Sequence, residues 1–183
     1  MIAIAAVWGL HQALDIVVVP TASMERTVMV GDHLLVNRWA YRYKQVHRGD
    51  VVSFYPPGKA RGIFLKRVVG TGGDVVESRD GDISVNGSPL KEPYAQHICP
   101  SCEQQPTRIT VPEGHLYLLG DNRDRSEDSR FFGTVPVQNV VGEPVMIMWS
   151  FAIPTRDWLA MSPVTVYLSH PHLRWTRFLK PVQ

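Results

Sequence analysis

The sequence predicts a mainly β protein. Three observations carry that prediction: 14 Pro and 14 Gly punctuate the chain, runs rich in Val, Ile, Phe and Tyr recur between those breaks, and several runs mix apolar and polar residues on a two-residue period. At 183 residues the chain is long enough for one sizeable core, or for a core carrying a smaller inserted unit. Its formal charge is only +2, from 19 Lys and Arg against 17 Asp and Glu. Basic residues cluster only near the C-terminus, which argues against a nucleic-acid partner.

Residues 2–19 (IAIAAVWGLHQALDIVVV) are apolar, yet His11, Gln12 and Asp15 interrupt them, and a membrane span needs ~20 apolar residues. No basic segment precedes the run, so a secretory signal peptide fits poorly. The preferred reading makes 1–18 the tail end of a membrane anchor whose earlier part is absent from this chain; the alternative is an amphipathic helix packed on its own domain. The run ends in Val19-Pro20-Thr21-Ala22-Ser23-Met24. Ser23 is a candidate nucleophile there, although a serine near a proline is more often a loop residue making local hydrogen bonds, and attack at neutral pH requires a base.

Short strands separated by turn signals follow. Gly31-Asp32 leads into HLLVNRWAY; Arg48-Gly49-Asp50 introduces VVSFY, which Pro56-Pro57-Gly58 ends; Arg61-Gly62 introduces IFLKRVVG. In this last strand, alternation puts Phe64, Lys66 and Val68 on one face and Leu65, Arg67 and Val69 on the other. A lysine held between Phe64 and Val68 is pushed towards its neutral form by desolvation; the plainer reading is that it snorkels to the sheet edge. The texture changes between Val75 and Pro112, where the hairpin signals Arg79-Asp80-Gly81-Asp82 and Asn86-Gly87 predict an inserted β subdomain over 75–112. The catalytic core is then expected over 19–74 and 113–183.

The insertion holds both cysteines, Cys99 and Cys102, in a CPSC loop. Zinc needs two further ligands and only His97 lies close, and a redox pair usually comes with a βαβ context. A local disulfide or two idle thiols is the preferred reading, and no metal is expected. After the buried strand HLYLLG comes the charged run GDNRDRSEDSR. Asp124 and Glu127 have capping-box spacing for a short helical turn that presents Ser126, Asp128 and Arg130 from one corner. Residues 135–151 supply further strand material. The C-terminal HPHLRWTRFLK mixes basic and aromatic residues, which fits either a membrane-interface contact or a solvated tail packing its aromatics on the domain.

A neutral Lys66 would be a sufficient base for Ser23. From ~10.4 its pKa must fall to about 7 to 8, at ~1.4 kcal/mol per unit, which burial can supply. Three blocks, PTASMERTVMVGDHLLVNRWAY with HRGDVVSF, FLKRVVGTGGD and GDNRDRSEDSRFFGTVP, together resemble the type I signal peptidases, Ser/Lys endopeptidases that remove leader peptides from exported proteins. The resemblance covers most of the chain. It implies a core of β ribbons and coiled sheet with few short helices and no cofactor. It also implies Ser23 as nucleophile, Lys66 as general base, Ser126 orienting the lysine amine, and an oxyanion hole formed by the Ser23 N–H and the Thr21 hydroxyl. Arg67, Asp121, Asp128 and Arg130 match a supporting charge network. Val19, Pro20, Met24, Val28 and Leu65 are expected to line pockets for small residues.

The implied partners are signal-peptide-bearing precursors and a lipid surface, with the catalytic domain on the outer face of a bacterial cytoplasmic membrane. Two departures stand out: Arg26 occupies a place where the family commonly has proline, and Thr21-Ala22 replaces a frequent Ser-Gly. Two other readings compete, a membrane-tethered module that binds extended peptides without chemistry, and a related Ser/Lys peptidase of the conjugation or self-cleaving repressor type.

Overall fold

The structure, a computed structural model, describes residues 12–58, 62–79, 81–96, 107–152 and 172–182. The main sheet has the order β1 (Leu14–Val18), β2 (Asp32–Asn37), β11 (Val140–Ser150), β3 (Val51–Phe54), β4 (Phe64–Thr71), β9 (His115–Leu119) and β10 (Val135–Pro136), with β12 (Lys180–Pro181) added on β11. Every pairing in it is antiparallel. The expected mainly β class is what the chain adopts.

β11 makes the sheet curl. Its register slips between Pro144 and Met146 and between Ile147 and Trp149 against β2, and between Val140 and Gly142 against β3. Each bulge adds local twist and bends the strand, and Pro144, which lacks an N–H to donate, sits beside one of them. One long strand thereby serves two partners in different directions.

Residues 14–18, read in the sequence with the anchor-like run, form the edge strand of this sheet, and Val19 N–H continues its ladder to Asp32 O at 2.8 Å. Among the described residues no helix is long and apolar enough to cross a membrane. The strand expected through HLLVNRWAY stops at Asn37. Its side-chain Oδ1 accepts the Trp39 N–H at 2.9 Å, and the chain turns into a short helix, Ala40–Tyr43, as an Asx turn can direct.

Within 75–112, β5 (Val75–Arg79), β6 (Asp82–Val85), β7 (Ser88–Pro89) and β8 (Thr107–Thr110) make a second sheet of order β7-β6-β5-β8. It shares a core with the first: Val76, Ile83, Val85 and Val111 pack with Val69, Tyr117 and Leu119. The CPSC loop lies outside the described residues.

The C-terminal segment divides its arginines and its aromatic residues between two sides. Trp175, Phe178 and Leu179 are exposed, whereas the guanidinium groups turn inward to Asp32, which is completely buried. Arg177 donates from Nε to Asp32 Oδ1 at 3.0 Å and from Nη2 to Oδ2 at 2.6 Å, and Nη2 also reaches Thr27 O at 3.0 Å. Arg174 donates from Nε to Ser150 Oγ at 2.8 Å and from Nη2 to Val30 O and Phe151 O. Asp32 Oδ2 also accepts the Met29 N–H at 2.8 Å. The loop 20–31 that carries Ser23 is thus closed at its end by one carboxylate and two arginines.

Removing one partner of a buried ion pair leaves the other charged and desolvated, typically at ~3–5 kcal/mol. Arg177→Met is expected to cost roughly 3 kcal/mol in urea unfolding, the low end of that range, because the Met29 N–H still serves Asp32. Trp175→Ala, two positions away on the exposed side, is expected to change stability by less than about 0.5 kcal/mol.

Candidate active site

Ser23 lies in the 3-10 turn Ala22–Met24, which follows Thr21 in extended conformation. Met24 is buried in the core with Val19, Val28 and Leu34, so an apolar side chain on each flank anchors the turn. Lys66 lies on β4, opposite Val52 of β3. The two loci, 43 positions apart, meet: Lys66 Nζ donates to Ser23 Oγ at 2.7 Å and to the Leu65 carbonyl at 3.0 Å. Both residues are buried, Ser23 at 6% and Lys66 at 3% exposure, and the Phe64 ring centroid lies 5.6 Å from the amine.

Burial is the largest influence on Lys66. It pushes the ammonium pKa from 10.5 down to about 8, against the pull of Asp128, Glu127 and Asp121. Roughly a tenth of the lysine is therefore neutral at pH 7. The snorkelling alternative does not hold, because Nζ is spent on Ser23 Oγ and Leu65 O under cover.

Thr21 Oγ1 is 3.3 Å from Ser23 Oγ, so the expected second hydroxyl stands beside the candidate nucleophile. Ser126 differs from the expectation. Its Oγ is buried and has no hydrogen-bond partner among the described residues. The hydroxyl is packed against Gly120 instead: a Cβ on Gly120 would lie 2.1 Å from Ser126 Oγ and 2.5 Å from Ser23 O. Gly120 is a residue that sequence reasoning missed. Its position between a buried strand and a charged run was the available signal.

The charged corner is built from inward-turned side chains. Arg67 grips Asp121 with two bonds, Nε to Oδ1 at 2.9 Å and Nη2 to Oδ2 at 2.8 Å, and donates Nη1 to Gly49 O at 2.8 Å. Asp128 accepts the Gly120 N–H at 3.0 Å and binds Arg130 through Nε and Nη2, each at 2.8 Å. The short helical turn expected after Asp124 lies elsewhere: Asp124 is inside the 3-10 turn Arg123–Arg125, and the next helix starts at Ser129. The 3-10 turn Arg123–Arg125 has no side-chain cap, and Asp128 instead caps the helix Ser129–Phe132 by accepting the Arg130 N–H. Asn122 N–H donates to Ser23 O at 3.1 Å and ties this corner to the Ser23 turn.

A cavity of about 320 Å³ opens onto Ser23 and Lys66. Val19, Pro20, Met24 and Leu65 line it as expected, joined by Val17, Leu34, Ile63 and Phe64. Val28 does not reach it. That residue is fully buried in the core cluster behind Met24, where its small side chain supports the wall from the far side. Arg26, in the place where proline is common, has φ of +85°, a conformation that the proline ring forbids. No group of three His, Cys, Asp or Glu side chains able to hold a metal occurs among the described residues.

A family model described as signal peptidase, peptidase S26, matches residues 1–149. The chain belongs to this family. A protein named signal peptidase I from Leptolyngbya laminosa is 36% identical over 138 residues, covering 72% of this chain and 66% of the relative. One named signal peptidase I V from Bacillus subtilis (strain 168) is 34% identical over 131 residues, covering 66% of this chain and 77% of its own length. A solved signal peptidase I from Enterococcus faecalis V583 aligns at 34% identity and a TM-score of 0.48, over 55% of this chain and 97% of that one. The chain spans about two thirds of the length of the first relatives it matches, 66% and 61%.

Gly120→Ala would drive a methyl group into Ser126 and into the backbone oxygen of Ser23. Overpacking of this kind costs ~1–3 kcal/mol. The expected outcome is a lowered melting temperature together with slower acylation of Ser23 by a serine-reactive β-lactam; a variant that falls in stability but acylates at the original rate would separate packing from placement.

Proposed function

We propose that this chain is the catalytic part of a membrane-associated serine endopeptidase that removes N-terminal signal peptides from exported precursors after small residues, using Ser23 and Lys66 as a dyad. The observation that carries the reading is the 2.7 Å contact from a buried lysine amine to a serine hydroxyl inside an apolar cleft. A lysine kept this close to neutrality by burial has one chemical use that its charged form lacks, which is to accept a proton.

The steps follow from that geometry. Neutral Lys66 takes the proton of Ser23 Oγ as the oxygen attacks the scissile carbonyl carbon. The resulting oxyanion is met by the Ser23 N–H and the Thr21 hydroxyl, donors aimed at the place where charge develops. The carbon–nitrogen bond then breaks, the Lys66 ammonium returns its proton to the departing amine, and Ser23 is left acylated. Water attacks the ester with Lys66 again as base, which frees the leader peptide's new carboxylate and restores the serine. Arg67 with Asp121, and Asp128 with Arg130, hold the corner that backs these groups.

The cleft favours an extended substrate with small side chains near the cut. The edge strand β1 offers backbone for strand addition, Val17 and Val18 line the same cavity as Met24 and Leu65, and the walls leave shallow apolar space. The exposed Trp175, Phe178 and Leu179 support work at a lipid surface. In this reading residues 19–74 and 113–183 are the catalytic core, 75–112 an insertion, and the domain faces outward from a bacterial cytoplasmic membrane.

A synthetic leader peptide ending in Ala-x-Ala should be cut at that site by the purified chain. Ser23→Ala and Lys66→Ala should each lower kcat/KM by about 10³-fold or more, and retained cleavage in either variant would sink the dyad. Because the ammonium is the inactive form, kcat/KM should rise with pH and level off above a midpoint near 8. The same group links pH to stability. The unfolded chain binds the Lys66 proton up to about 10.5 and the folded chain only up to about 8, so a penalty of about 3 kcal/mol is present in full below the folded value and is relieved as pH rises between the two.

A further inference from the structure

We propose that the segment Glu92–Gln96, which leaves the second sheet, is a strap that positions the Ser23–Lys66 dyad, with Glu92 and Tyr94 as its positioning residues. The proposal rests on the Ser/Lys reading above and assigns the insertion a part in it. Neither residue belongs to the motifs that mark the site, and neither touches the reacting atoms.

The strap joins the charged corner through its backbone and through two side chains. Gln96 pairs with Asn122 in a parallel bridge, its N–H donating to Asp121 O at 2.6 Å while its carbonyl accepts the Arg123 N–H at 2.9 Å. Glu92 Oε1 forms an ion pair with Arg123 Nη2, and the two side chains are 9% and 4% exposed. Arg123 Nε in turn donates to Gly120 O at 3.0 Å. The Tyr94 ring lies under the Arg67 guanidinium, 3.9 Å from ring centroid to Cζ, and its hydroxyl donates to Glu92 Oε1 at 3.2 Å. Arg26 Nη1 adds a longer bond to Ala95 O at 3.4 Å.

These ties end one residue away from the dyad on both sides. Arg67 follows Lys66 on β4, and strand alternation makes the roll of one the roll of the other. With Asp121 on its edge and Tyr94 on its face, the Arg67 plane is held in two directions, which fixes where β4 aims the lysine amine. On the other side, Glu92 holds Arg123, Arg123 holds Gly120, and Asn122 between them donates to the Ser23 carbonyl. A buried ion pair of this kind contributes more to geometry than to stability. The strap therefore acts on the distance between Nζ and Oγ, and on the dryness of the amine.

The test uses the 183-residue chain and three variants, Glu92→Gln, Tyr94→Leu and Tyr94→Phe. Tyr94→Leu and Glu92→Gln are expected to lower kcat on an Ala-x-Ala peptide about tenfold while KM stays within about twofold. They should also move the pH midpoint of kcat upward by roughly half a unit or more, as water reaches the amine, since Asp128, Glu127, Asp121 and Arg130 around it are unaltered. Tyr94→Phe keeps the ring and should stay within about threefold of the parent kcat.

A second readout needs no substrate. Carbon-13 NMR of labelled lysine should place the Lys66 midpoint near 8 in the parent and higher in Tyr94→Leu. If the parent cuts no such peptide, the proposed function fails and the NMR midpoint alone decides the strap. Variants that lose melting temperature but keep the parent kcat and the parent midpoint would overturn the proposal. Should Glu92→Gln fail to fold, the half-buried Tyr94→Leu carries both readouts.

Discussion

The contact between Lys66 and Ser23 can exist only if the protein holds an amine out of water without giving it a full counter-charge. A carboxylate in direct contact would favour the ammonium and remove the neutral form that the proposed base role requires. The structure meets this demand by distance. Asp121 and Asp128 are both bonded to arginines, Arg67 and Arg130, so their pull on the lysine is partly offset and burial outweighs what remains of it. The hydrogen bonds left to Nζ are a hydroxyl and a carbonyl, neither of which fixes a positive charge as a carboxylate would.

Much of the remaining architecture reads as support for that arrangement. The Ser23 turn has no regular partner strand, and three separate devices hold it: Met24 in the core, the Asn122 N–H on the Ser23 carbonyl, and the Asp32–Arg177 pair at the end of its loop. Each comes from a different part of the chain. Gly120 lets the charged corner approach the Ser23 backbone, because any side chain there would occupy the space of Ser126 and of the Ser23 carbonyl. The bulged β11 lets β2, which closes the Ser23 loop, and β3, which carries β4, belong to one coiled sheet. The distance between Ser23 and Lys66 is therefore set by the curl of a sheet rather than by a local motif.

The exposed aromatic residues and buried arginines of the C-terminal segment show how composition can mislead about placement. A mixture of Trp, Phe, Leu and Arg looks like an interfacial peptide, but the segment is short and turned, so its arginines and its aromatic residues point to different sides. Arg174 and Arg177 serve the interior, while Trp175, Phe178 and Leu179 face out. The same division applies to GDNRDRSEDSR, where a run that reads as a solvated loop has Asp121, Arg123 and Asp128 among its buried members. Paired charges can be buried where single ones cannot.

The sequence by itself determined the β class, the strands around Val51–Phe54 and Phe64–Thr71, the second sheet within 75–112, and the pairing of Ser23 with Lys66 as the residues to watch. Those conclusions depend on alternation, turn residues and linear motifs, which are local and survive without coordinates. Local signals also misled about element ends, as when the strand stopped at Asn37, whose side chain accepts the Trp39 N–H, or when the helix of the charged corner began at Ser129 and not after Asp124. Only the tertiary structure decided that Val28 backs the pocket instead of lining it, that Ser126 packs on Gly120 without bonding the lysine, and that Glu92 and Tyr94 reach the charged corner. These facts depend on contacts between segments far apart in the chain, and no residue pattern within one segment encodes the distance to another.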